Sequence, residues 1–192
     1  MKFIDQLKEK AKQNKKTIVL PETSDMRTIE AAGKVLAEGI ANIILVGDKE
    51  DIMSRAGDID LSGASFVDPK NYEKFDEYVD AFVEMRRKKG MTEARAKELL
   101  LTNPLYFGCM MVKQDDADGM VAGAINASAD VLRAALQTLK TAPGTRIVSA
   151  FFLVVVPDCQ YGANGTFVFA DAGLNQSPSA SELADIAEQS AK

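Results

Sequence analysis

Short apolar runs without polar alternation recur along this chain, most of them stopped by proline or glycine, and several are separated from the next by a stripe of helical period. Residues 17–20 form such a run, stopped by Pro21, and residues 42–46 another, stopped by Gly47-Asp48. Residues 120–122, 147–156 and 167–170 follow the same pattern, and 64–67 is a weaker example. A strand that is apolar on every residue is covered on both faces, which is the condition of strands in a parallel sheet. Helices between such strands call for right-handed crossovers. The fold class is therefore α/β, with three layers, a mostly parallel sheet and helices on both faces.

The helical segments are read from their caps and periods. Residues 3–14 carry Phe3, Ile4, Leu7 and Ala11 on one stripe of a lysine-rich helix. Asp25 is placed to cap a helix with Ile29, Ala32 and Leu36 on one face, closed by Gly39. Tyr72, Phe75, Val79, Phe82 and Val83 mark a helix over 69–89 that stops at Gly90. Thr92 caps a shorter helix ending near Leu101, and Pro104 opens another through Met111. Ser179 and Glu182 have the capping-box spacing ahead of Leu183, Ile186 and Ala187. That last helix reaches 190–192 without a turn signal, so the sequence reads as interrupted. Composition shifts near Pro143-Gly144, giving a first α/β lobe over 1–144, without a returning C-terminal segment, and the start of a second, incomplete lobe over 145–192.

Composition narrows the function classes. With 192 residues, 46% apolar and 27% charged, this is an ordinary globular composition. A net charge of −5 gives no general attraction for nucleic acid, so any basic site must be local. No apolar run has membrane-spanning length and the N-terminus lacks a signal-peptide segment, so the expected compartment is the cytoplasm. Nothing in the spacing of Cys109 and Cys159 asks for a disulfide. The chain has no histidine, which excludes an imidazole base and histidine-ligated zinc within this polypeptide.

The segment 118–153 reads as strand, small-residue turn, helix and strand. Small side chains at 123–128 let a ligand approach the backbone at the carboxyl end of a strand, where α/β sheets place ligands. Gly123 tolerates unusual dihedrals, Ser128 is placed to cap the helix, Asn126 offers an amide donor, and the free helix donors attract an anion. An ordinary strand-to-helix turn is the other reading of the same residues. Arg133, five residues beyond Ser128, can reach back toward the helix start, or can be a solvated or carboxylate-paired arginine. Arg87, in a basic run near a helix C-terminus, answers the helix dipole there. Arg27 is a further candidate for the same cleft. Cys159 follows a strand close to the expected site, but no imidazole is present to activate it as a nucleophile. Cys109 is read as a helix packing residue, and Asp171 as a second-lobe polar contact or a solvent-facing loop carboxylate.

Pro21-Glu22 with Asp25 and Arg27, the run from Arg86 to Gly90, Ala117 to Ala124, Ser128 to Arg133, and Phe169 to Ala172 followed by Pro178 and Leu183 to Ala187 resemble the phosphate acetyl- and butyryltransferases. The resemblance covers the whole chain in order. It implies a fold like that of the isocitrate and isopropylmalate dehydrogenases, with a cleft between two lobes and a homodimer as assembly. It also implies exchange of an acetyl group between acetyl phosphate and coenzyme A, with phosphate as the other product and no metal or redox cofactor. Arg133 and Arg87 match arginines that bind coenzyme A in that family. Where the family more often has histidine before a Ser-Thr pair, this chain has Asn126-Ala127-Ser128. The family's late Asp-Leu-Ser-Arg-Gly segment, which should supply the catalytic residues and the base, has no counterpart. The chain alone is accordingly expected to be inactive. A non-catalytic fragment binding coenzyme A or phosphate and a butyryl-preferring enzyme are the alternatives; a dehydrogenase would need a metal-carboxylate cluster and a nucleotide motif that the sequence does not offer.

Overall fold

The computed structural model describes residues 3–191. The chain divides after Lys140 into two compact units, each with its own sheet.

In the first unit, α1 (Phe3–Gln13) leads into β1 (Lys16–Leu20), α2 (Met26–Glu38), β2 (Ala41–Val46), α3 (Lys49–Ala56) and β3 (Ser65–Val67). Next come α4 (Phe75–Arg86), α5 (Glu93–Thr102), α6 (Pro104–Lys113), β4 (Gly119–Met120) and α7 (Ser128–Thr138). The four strands pair in the order β3-β2-β1-β4, all parallel. Alternate side chains of β1 and β2 enter two different cores. Leu20, Ile43 and Leu45 pack with Ile29, Ala32, Ile52 and Ala56 of α2 and α3. Val19, Ile44 and Val46 face the opposite layer, built on Tyr78, Phe82, Phe107 and Met110 of α4 and α6. This two-sided burial is why the strands read as unbroken apolar runs.

Several predicted caps form. Asp25 accepts the Arg27 amide at the start of α2, and Gly39 closes that helix in the left-handed region, φ +67°. Thr92 caps α5 through the Arg95 amide. Other expectations need correction. The segment 69–89 is not one helix: a 3₁₀ turn at Pro69–Asn71 precedes α4, and another, Arg87–Lys89, follows it. Proline fixes the first turn, and Tyr72, the first member of the apolar stripe, is extended and ends that turn ahead of α4. Helix α3 was not foreseen, because Gly47-Asp48 reads only as a strand stop; Asp48 also caps α3 by accepting the Asp51 amide.

The second unit contains β5 (Phe151–Val155), β6 (Thr166–Ala170) and α8 (Ala180–Ser190). The expected buried strand over 147–156 is shorter and largely exposed, and it pairs antiparallel with β6. Phe151, Phe152 and Leu153 of β5 and Val168 and Phe169 of β6 are all exposed, so both faces of the ribbon are uncovered. Unbroken apolarity records what a strand is made of, not what covers it. The capping box forms as predicted, with Ser179 and Glu182 bonding reciprocally, and Ile186 is the buried residue of α8. The Arg146 guanidinium meets Asp185 through two 2.8 Å hydrogen bonds. Asp171 accepts the amides of Gly173, Leu174 and Asn175, closing its own loop. Cys109 and Cys159 are free thiols, and no described helix is long and apolar enough to cross a membrane.

Candidate functional site

The strand order fixes where a site can form in the first unit. The chain runs from β1 through β2 to β3 in one direction, then returns to the other side of β1 as β4, so the order reverses between β1 and β4. In α/β sheets the loops that leave the carboxyl ends of two such strands usually diverge around a crevice. Glu22 follows β1; the turn 121–127 follows β4.

These two loops meet through one carboxylate. Glu22, 2% exposed, accepts the amides of Gly123 and Ala124 on Oε2 at 2.6 and 2.7 Å. Its Oε1 accepts the amides of Ile125 and Asn126 at 3.1 and 2.8 Å and the Asn126 side-chain amide at 2.7 Å. Burial pushes the carboxyl up. Hydrogen bonds from the Asn126 side chain and from the amides of Asn126, Ala124 and Ile125 outweigh that and hold it at about 2. The turn that brings these four successive amides together starts at Gly123 with φ +110°, a region closed to most side chains. The Arg27 guanidinium pairs with Asp25 and donates to the Ala124 carbonyl. Thr23 Oγ1 donates to the Val46 carbonyl at 2.6 Å, and Arg55 donates to the Thr23 carbonyl at 2.7 Å.

The crevice thus brings together Gly123, Asn126 and Arg27 from the predicted set, but it corrects their use. The donors on which the sequence predicts a phosphate cradle are spent on Glu22. Ser128 does not cap the helix either: Ala127 occupies the cap position without a side-chain bond, and Ser128 is the exposed first residue of α7.

A second concavity lies beside α7. A cleft of about 400 Å³ is lined by Arg86, Lys89, Arg95, Arg133, Glu98 and Tyr106, among others. Four cations against one lining carboxylate make a positive site on a chain of net charge −5. Arg133 is 57% exposed and donates to Asp130 three residues earlier. The Nε of Arg86 is buried without a hydrogen-bond partner among the described residues. Burial raises the Tyr106 hydroxyl, while the neighbouring Arg133 and Arg86 lower it in part. Arg87 is absent from this lining; it is 76% exposed and sits 3.4 Å from Glu84.

The arginine that joins Arg133 is therefore Arg86. Helical phase carries the signal: Arg86 continues the line of Tyr78 and Phe82, both fully buried, at four-residue steps, whereas Arg87 is turned about 100° away. Lys89 and Arg95 were missed because they sit on different elements, which only the α4–α5 packing brings together. No local pattern assigns Glu22 a role, since its partners lie 101 to 104 residues along the chain. Cys159 lies between β5 and β6 in the second unit, partly buried.

Residues 2–192 match the profile of the phosphate acetyl/butaryl transferase family. The chain belongs to that family. It is 52% identical over its whole length to the phosphate acetyltransferase of Acetivibrio thermocellus and 53% identical over 191 residues to that of Thermoanaerobacterium thermosaccharolyticum. It spans 58% of the length of each. A phosphotransacetylase from Streptococcus pyogenes superposes with a TM-score of 0.86 at 36% identity, covering 97% of this chain and 56% of that one. The family assignment agrees with the parallel sheet and its two helical layers.

Proposed function

We propose that this chain carries the coenzyme A-binding part of an enzyme that reversibly transfers an acetyl group between acetyl phosphate and coenzyme A. The observation that carries the reading is the cleft of Arg86, Lys89, Arg95 and Arg133, whose three guanidinium groups offer planar donor forks and whose Lys89 offers an ammonium to a phosphate, while Tyr106 forms part of its wall. The coenzyme's phosphates are the groups such a cleft takes. In the reaction, the coenzyme A thiolate attacks the carbonyl carbon of acetyl phosphate. The S–C bond forms, the C–O bond to phosphorus breaks, and phosphate leaves with the electron pair. The thiol is itself the nucleophile, so neither an enzyme thiol nor a cofactor is needed. On the family resemblance, the base is assigned to the length of the relatives that this chain does not span. On this reading the 192-residue chain binds without turnover, and the protein works in the cytoplasm as a homodimer.

Calorimetry of coenzyme A with the purified chain tests this. Wild type binds, and binding weakens as salt rises. Arg133→Ala and Arg86→Ala each raise Kd roughly ten-fold or more, as loss of a charge-assisted contact requires, while Arg87→Ala changes it little. Equal losses in Arg86→Ala and Arg87→Ala, or no binding by wild type, would remove the cleft from the proposal. Acetyl-CoA formation from acetyl phosphate by this chain alone would contradict the expected lack of turnover.

A further inference from the structure

The switch-point crevice has the geometry of an anion site, yet it already contains an anion. Gly123, Ala124, Ile125 and Asn126 turn four consecutive amides onto the two oxygens of one buried carboxylate, and the Asn126 side chain adds a fifth donor. Concave runs of backbone amides of this kind bind phosphate in other settings. Here the ligand is tethered. A carboxylate fixed on a rigid loop competes at an effective concentration no free ion reaches, and its charge repels a second anion at short range.

We propose that Glu22 is the resident anion of this nest: it holds the 123–127 loop against β1 and keeps free phosphate out of the switch point, leaving phosphate to the arginine cleft. Glu22 is thus a positioning and specificity residue that acts through the loop and touches no substrate. The clamps on its own loop support the assignment. Thr23 is tied to β2, Arg55 to Thr23, and Arg27 bridges Asp25 and Ala124, so the carboxylate is delivered from a fixed direction. The last clause of the inference rests on the reading of the cleft given above; the occupancy of the nest does not.

Amide resonances of residues 123–126 and the Arg133 side-chain resonance, followed by nuclear magnetic resonance during titration with inorganic phosphate, separate the two. Sodium chloride at matched ionic strength is the control. In wild type the four amides stay indifferent while Arg133 responds. In Glu22→Ala the four amides shift saturably, and phosphate raises the melting temperature of this variant more than that of wild type. Amides that titrate in wild type, or that ignore phosphate in Glu22→Ala, overturn the inference. Silence at Arg133 with the variant's response intact overturns the routing of phosphate to the cleft and the cleft reading with it. Should Glu22→Ala not fold, Glu22→Gln carries the test, since it keeps one acceptor oxygen without the charge. Hydrogen exchange at the four amides then accelerates at least roughly ten-fold over wild type while α6 is unchanged, and equal exchange overturns the proposal.

Discussion

Replacing Glu22 with glutamine should make the stability of the first unit almost insensitive to one carboxyl, and the size of the effect follows from the five donors around it. The group's folded pKa, about 2, lies below the ordinary 4.5. A depressed carboxyl stabilises the folded state above its unfolded pKa, and the contribution is lost as pH falls through the folded value. The window therefore runs from about pH 4.5 down to about pH 2. At roughly 1.4 kcal/mol per pH unit, the contribution at neutral pH is about 3 kcal/mol. That is a large part of the 5–15 kcal/mol (an order-of-magnitude range) by which a domain is usually stable. Denaturant unfolding of wild type and Glu22→Gln, followed by circular dichroism at a series of pH values, isolates this carboxyl from the other acidic groups. The two curves should differ by about 3 kcal/mol at pH 7 and converge toward pH 2. A difference that does not change with pH, or none at pH 7, would refute the account of how the turn after β4 is held.

Two further outcomes test the packing. A Cβ at Gly108 of α6 would fall 2.8 Å from the Met120 sulfur and 3.3 Å from a Val19 methyl, so Gly108→Ala must turn the Met120 side chain aside or shift α6 from β1 and β4. Crowding of about 1–3 kcal/mol exceeds the roughly 1 kcal/mol that alanine gains in a helix, and the melting temperature should fall; an unchanged value would mean that the contact yields freely. Burial raises the Cys109 thiol, more than its hydrogen bond with Thr138 lowers it, whereas Cys159 is partly accessible. A thiol reagent applied to native protein should modify Cys159 and spare Cys109 until unfolding, and equal labelling rates would contradict the packing of α6.

Much of the chain was legible because its signals are local. The β1 and β2 runs, the Asp25 cap with Gly39 behind it, and the Ser179–Glu182 box need no distant partner to be recognised. Failures came where one local pattern serves two structures. Gly47-Asp48 both stops a strand and caps a helix, and the continuous apolarity of 147–156 suits a covered strand as well as the exposed ribbon it forms. The site shows the same limit. Small residues at 123–128 correctly signal converging amides, but the sequence cannot say which anion they receive, and the answer lies 101 to 104 residues away at Glu22.

What the chain's own sequence determined is the class of fold and the position of its mouth, since two-sided apolar strands separated by capped helices admit few arrangements. Tertiary structure alone decided which groups share that mouth. Parallel neighbours β1 and β4 are joined through nearly a hundred residues, so the meeting of Glu22 with 123–126 is set by strand order and not by spacing. The choice of Arg86 over Arg87 was half written in helical phase, and became definite only when α5, α6 and α7 closed around it. Local interactions are encoded within a few residues of each other; a charge's partner is chosen by whatever the packed core brings within reach.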